Sequence, residues 1–404
     1  MTIVEYIQSV RDPMGLPFYP LVFQILMVLT FALHIIFVNL VIGGVTLALW
    51  GEIKGGPYPK RLSRAMARAA TVNLSLAIVL AVAPLLFVQT LYDPFWYTAN
   101  IMSARWVWTF LIAVIVAFYS IYAFYLRGAE RGKNPLWLIL ALAALTTAAI
   151  IIHALTIEQL KPEFWREWMV RERWVNTQGD LLKAFDLPRL LHFVFSSWAV
   201  TGIFLMFYAR YFQRRPDYDS NYLKWVATLG GKQALFFSAI SAGTGIAWLM
   251  EEPAALLSNP IFWTALFLAM ALLAILISAQ SDPLRYVYPV GVVGLLTVFF
   301  MAFSREALRE YHLARVGYSI FDYRLNIDWG STALFLATFI LGLVILAYPI
   351  LVAYKAGQRK NPHRPADLRG LEPLGRLATI LPVVWLGAVV LLGLYISIRN
   401  GTLF

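Results

Sequence analysis

Stretches of some 20 apolar residues recur along this chain from Leu21 to Ile398, each about the length a helix needs to cross the hydrocarbon core of a bilayer. No other feature constrains the fold as much. Hydrocarbon admits only structures whose backbone hydrogen bonds close within the protein, and separate segments of this length satisfy that as helices. Ten are expected, at 20–51, 66–92, 104–126, 135–157, 187–213, 222–250, 260–279, 284–303, 331–354 and 375–398. The predicted fold class is an all-α, polytopic integral membrane protein. Composition agrees, since 60% of the 404 residues are hydrophobic and 14% are charged, against roughly 25% charged in soluble domains. An ordinary soluble enzyme is excluded.

The net charge of +11 is spread over short loops rather than one basic face, so a nucleic-acid partner is not expected and the basic balance reads as topology. Four alternate loops carry it: Lys54, Lys60, Arg61 and Arg64; Arg127, Arg131 and Lys133; Arg210, Arg214 and Arg215; and Lys355, Arg359, Lys360, Arg364 and Arg369. By the positive-inside rule these face the cytoplasm, and both termini lie outside. The predicted location is a bacterial or archaeal cytoplasmic (inner) membrane. The start of the chain, with Glu5, Arg11 and Asp12, lacks the basic region and cleavage site of a signal peptide, so the first span is expected to be retained.

The expected organisation is an outer N-terminal segment (1–19), a first four-helix unit (20–157), an outer amphipathic loop (158–186), a second four-helix unit (187–303), and an outer loop with a C-terminal helix pair (304–404). An internal echo supports the two units. Leu33-His34-Ile35-Ile36-Phe37 recurs as Leu191-His192-Phe193-Val194-Phe195, with Gly43-Gly44 and Gly202 following at similar distances. In the outer loop, Trp165, Trp168 and Met169 stand at helical spacing between charges, as in a helix lying in the interface; a partner-docking surface is the alternative.

The chain has no cysteine, which removes disulfides, thiolate nucleophiles, iron–sulfur ligands and covalently attached haem. His34 and His192 remain, inside apolar helices, where an imidazole is costly unless paired or coordinated. A lone one would read as bonded to a neighbouring carbonyl. Two in one motif, in a cysteine-free helical bundle, point to haem ligation. His153, Glu306 and His312 map to the outer ends of their helices, whereas His363 falls in a basic loop and reads as solvated. Arg105, Arg189, Arg305 and Arg309 are outer cations able to hold haem propionates or lipid headgroups. Glu306 and Arg309, at i and i+3, could equally form an ion pair. Met250 and Met270 are candidate thioether ligands among ordinary span residues, and Lys232 reads as snorkelling to the cytoplasmic interface.

The stretch from Phe31 to Gly43 around His34 resembles the first helix of subunit I of the cytochrome bd oxygen reductases. The likeness continues in order through Trp96, Arg189 to Gly202, Phe262-Trp263 and Glu306-Ala307-Leu308-Arg309. It implies that His34 ligates one active-site haem, that Glu306 is the carboxylate ligand of a second with Arg309 beside it, and that His192 ligates a low-spin haem b. Non-covalent haem b is then expected, two or three of them, and haem d, though possible, is not supported. The sequence also departs from that family. The third segment, 104–126, holds none of the family's proton-carrying acids, and Gln89 replaces an acid in the second. The family's quinol loop shrinks to 251–260, and its methionine ligand falls on Leu268, leaving Met270, His153 or another residue as sixth ligand.

The expected function is a haem-b membrane subunit transferring electrons within a respiratory complex. Its expected partners are a c-type cytochrome subunit at the outer face, a second membrane subunit and lipid, with a quinone undecided. A bd-like terminal oxygen reductase is the runner-up, and a haem-free transporter or structural anchor is the rival from another class.

Overall fold

The computed structural model describes residues 2–126, 134–171, 174–358 and 368–402. Arg127, Arg131, Lys133, Arg359, Lys360, Arg364 and His363 lie outside the described residues. Thirteen α-helices follow in order: α1 (Ile3–Ser9), α2 (Pro20–Lys54), α3 (Pro57–Leu91), α4 (Asp93–Met102), α5 (Ala104–Leu126), α6 (Leu136–Leu160), α7 (Trp165–Met169), α8 (Leu187–Phe212), α9 (Ser220–Glu251), α10 (Pro260–Ser278), α11 (Val287–Ala314), α12 (Trp329–Gln358) and α13 (Glu372–Arg399). Ten of these are long and apolar enough to cross a membrane. The chain is an all-α, multi-pass membrane protein.

Helix ends differ from the expected ones for a physical reason: hydropathy marks where hydrocarbon begins, whereas a helix continues into the interface. α3 starts at Pro57, at the first helical position where its fixed φ and missing N–H suit a helix start. The turn before it uses Gly55 and Gly56 at φ 69° and 83°, conformations that side chains resist. α11 likewise runs on to Ala314, so Glu306, Arg309 and His312 are all helical.

The 158–186 segment is not the expected interfacial helix. It forms the single turn of α7 and a two-residue antiparallel ladder, Val170–Arg171 with Trp174–Val175. Trp165 turns inward, 2% exposed, donates Nε1–H to the Glu158 carbonyl at 2.8 Å, and packs edge-on to Tyr6 and against Phe95. The N-terminal helix α1 covers it, which removes the indole from the interface.

Two compact units form. One comprises Met1–Arg210 with Lys224–Asn326, the other Tyr211–Leu223 with Ile327–Phe404. In the second, α12 and α13 have no buried residue. In the first, the end that carries the N-terminus is closed by a cap. Arg11 stacks over Tyr318 and Tyr323 at 4.3 and 4.9 Å, and Asp93 accepts from the Tyr323 hydroxyl and the Asp12 amide. Burial pushes the Asp93 carboxyl above the usual range, against those two hydrogen bonds.

Glycines set how closely the spans approach. A Cβ on Gly43 would lie 1.9 Å from Thr201 Oγ1, and one on Gly202 would lie 2.5 Å from the Ala234 amide nitrogen. The glycine that follows each motif histidine is therefore a helix crossing point, of the small-residue kind that membrane helices use. Beside the first crossing, Ser197 donates to Asn39 Oδ1 at 2.9 Å and Thr201 to the Asn39 carbonyl at 3.2 Å. Gly43→Val should separate α2 from α8 and cost about 1–3 kcal/mol. Gly342→Ala, where nothing lies within 4 Å, should instead gain up to about 1 kcal/mol of helix propensity. Thermal unfolding of the two variants in detergent checks the opposite signs.

Candidate cofactor site

α8 and α9 come together at His192. Gly245 of α9 leaves room there, since a Cβ at that position would lie 2.8 Å from His192 Nδ1. Nδ1–H donates to the Ser241 carbonyl at 2.8 Å, which puts the lone pair on Nε2. That nitrogen has no hydrogen-bond partner among the described residues. His34 repeats the arrangement on the preceding helix pair, with Nδ1–H donating to the Ala77 carbonyl of α3 at 2.9 Å and Nε2 unengaged. A carbonyl-bound Nδ1 with a free Nε2 is the state in which an imidazole ligates a metal.

His192 forms part of the wall of a cavity of about 360 Å³. α2 contributes Phe31, Ile35 and Asn39; α9 contributes Ser241, Gly245 and Trp248; α10 contributes Phe262, Leu266 and Ala269; α11 contributes Thr297, Met301 and Arg305. The wall is mostly apolar, and its charge collects near the end that carries the N-terminus. There Arg305 stacks over Phe31 at 4.3 Å and Arg189 over Trp248 at 5.1 Å. Arg189 is buried and its Nε has no hydrogen-bond partner. Such orphaned cationic donors are costly unless an anion meets them.

Glu306 faces away from this cavity, although its neighbour Arg305 lines it. Its Oε1 accepts from Tyr92 at 2.5 Å and from Gln24 at 3.4 Å, and Oε2 makes an ionic contact with Arg309 at 3.1 Å without a hydrogen bond. The i, i+3 pair expected as one alternative is thus formed. Gln24 also donates to Glu310. Gln24 and His34 are ten residues apart on α2, about 15 Å along its axis, so Glu306 and His34 lie at different depths.

The remaining candidates are held otherwise. His153 Nε2 accepts the Asp186 amide at 3.2 Å and its ring meets Phe185 edge-on. His312 Nε2 pairs with Glu252 at 2.8 Å. Met270 is 55% exposed and Met250 81%, so the methionine that lines the cavity is Met301. Arg105 is exposed. Sequence reasoning missed Met301, Gly245, Trp248, Tyr92 and Gln24; for Met301 the available signal was its helical phase with Arg305, one turn later. Among the described residues no three His, Asp or Glu side chains converge on a bare metal ion, so the free donors are single imidazoles.

No protein-family model matches the chain, and no curated protein matches it either.

Glu252 closes the charged end of the cavity. Burial opposes its ionisation, but the hydrogen bond and charge of His312, with Trp248 Nε1–H donating at 3.2 Å, hold its carboxyl below the ordinary 4.5. A depressed folded pKa contributes stability above the unfolded value and loses it as pH falls through the folded one. Glu252→Gln should therefore lower thermal stability at neutral pH, with the difference from the parent shrinking below about pH 4.5; melting curves across pH 3–7 check it.

Proposed function

We propose that the chain is a haem-b-binding electron-transfer subunit of a respiratory membrane complex. The observation that carries the reading is the repeated imidazole geometry at His34 and His192, each Nδ1 held by a carbonyl of the following long helix and each Nε2 free. The cavity beside His192 fits the same cofactor, with a largely apolar wall and two cations at one end, Arg305 in the wall and Arg189 over Trp248. His192 and Met301 would hold the haem iron, and Arg189 and Arg305 would take the propionates. A bound haem supplies the one-electron chemistry; the protein's part is to orient the ring, exclude water and set its electrostatics. His34 would hold a second haem, with Glu306 and Arg309 as an ion-paired carboxylate nearer the N-terminal end.

By the positive-inside rule, the end with Lys54, Lys60, Arg61 and Arg64 faces the cytoplasm of a bacterial or archaeal cell and both termini lie outside. The charged end of the cavity then faces outward, where Asp186, the last residue of the 158–186 segment, accepts the Arg189 amide at 2.9 Å. Exposed Phe164, Val170 and Val175, rimmed by Glu163, Arg166 and Glu167, make that segment a surface for a c-type cytochrome. A second membrane subunit belongs to the same proposal. The 252–259 connection is too short to fold over a quinone.

Purified protein should carry acid–acetone-extractable haem and show a b-type reduced-minus-oxidised spectrum. His192→Ala should remove one low-spin signal, while His153→Ala, whose Nε2 is already engaged, should keep it. A haem-free preparation from haem-replete cells would overturn the redox reading. Reduction by an added outer-side cytochrome should slow as ionic strength rises, which stopped-flow measurements read directly.

A further inference from the structure

At the opposite end of the first unit, the turn between α2 and α3 opens into a pocket of about 530 Å³ lined by Gly56, Pro57, Lys60, Arg61 and Arg64. Neither the Lys60 nor the Arg64 side chain has an ion-pair or hydrogen-bond partner among the described residues. The acid close to them in sequence, Glu52, already accepts from Ser63 at 2.8 Å. No acid sits in the first turn of α3, although the field of a helix favours negative charge there. Lys60 and Arg64, four residues apart on α3, therefore repel each other and the field of the helix start, and an anion from outside the chain would relieve both.

Aromatic side chains fix the depth of this pocket. Trp50, at the same end of α2, stacks on Trp225 at 6.3 Å and 16°, and Tyr58 of α3 packs on Trp225 at 5.8 Å. Trp and Tyr concentrate at the headgroup level of a bilayer; the apolar length of α2 ends beside Trp50, and that of α3 begins about two to three turns beyond Tyr58, past Arg64 and Arg68. We propose that this pocket binds the phosphodiester headgroup of an anionic phospholipid, phosphatidylglycerol or cardiolipin. Lys60, Arg61 and Arg64 surround the phosphate, the side-chain-free turn at Gly55-Gly56 gives it access to backbone, and the acyl chains run along the apolar surface of the two helices.

The test uses the full chain, delipidated in neutral detergent and titrated with phosphatidylglycerol, with phosphatidylcholine and with inorganic phosphate, bound lipid being read by native mass spectrometry. The parent should prefer phosphatidylglycerol over phosphatidylcholine. The triple variant Lys60→Gln, Arg61→Gln, Arg64→Gln should weaken phosphatidylglycerol binding at least about tenfold. A control triple, Lys224→Gln, Lys232→Gln and Arg285→Gln, removes the same charge from exposed positions and should change it less than about twofold. Equal losses in both triples would overturn the proposal, because net charge alone would then account for the preference. Competition by millimolar inorganic phosphate as effective as the lipid would overturn it too, making the pocket a free-phosphate site. Should the triple variant fail to fold, Lys60→Gln alone serves, with a loss of about threefold expected and no change overturning the assignment.

Discussion

A polar group placed in hydrocarbon must find its partner inside the protein, and the polar interior of this chain is arranged around that demand. Each motif imidazole gives its Nδ1 proton to a carbonyl of the next long helix. Asn39 is held by Ser197 and Thr201, and Glu306 by Tyr92, Gln24 and Arg309. These bonds do more than cancel a desolvation cost. By fixing the tautomer of His34 and His192 they leave the same nitrogen of each ring available, which a freely rotating imidazole would not do.

Close approach of the helices is what makes those bonds reachable. Gly245 lets the His192 ring lie against α9, while Gly43 and Gly202 bring α2, α8 and α9 together a few turns further on. The same crossings bound the cavity, since small residues on one face of a helix draw the backbones together and bulky ones on the next face hold them apart. Cavity and crossing are thus two results of one pattern of side-chain sizes.

The ten spans are legible in the sequence because hydrophobicity at this length has one structural outcome. Legible too are His34, His192 and the glycines after them, whose repetition is a pattern in the residues themselves. What lies outside the hydrocarbon is less so. α4 and the inward turn of Trp165 depend on tertiary contacts with α1 and the 315–326 segment that no local pattern encodes. Met301 and Met270 illustrate a different limit. Both are methionines in apolar spans, and only the rotation of each helix about its axis, set by packing partners, turns one toward the cavity and leaves the other 55% exposed.

The same rotation separates the charges of α11. Arg305 and Glu306 are consecutive, hence about 100° apart around the helix, and they face different neighbourhoods. Arg309, one turn on from Glu306, shares its side and neutralises it at 3.1 Å. Arg305 is left to the cavity with its guanidinium on Phe31, and Arg189 comes in from α8 with an unmatched Nε. Glu252, the acid in the cavity wall, is taken by His312. Arg305, and Arg189 with an unmatched Nε beside Asp186 and Glu252, leave this end of the apolar cavity with cationic donors to spare, and a ligand that is apolar along its length and carries acidic groups at one edge would meet them. The charge distribution at this end of the cavity and the free Nε2 of His192 are separate grounds for the same proposed cofactor.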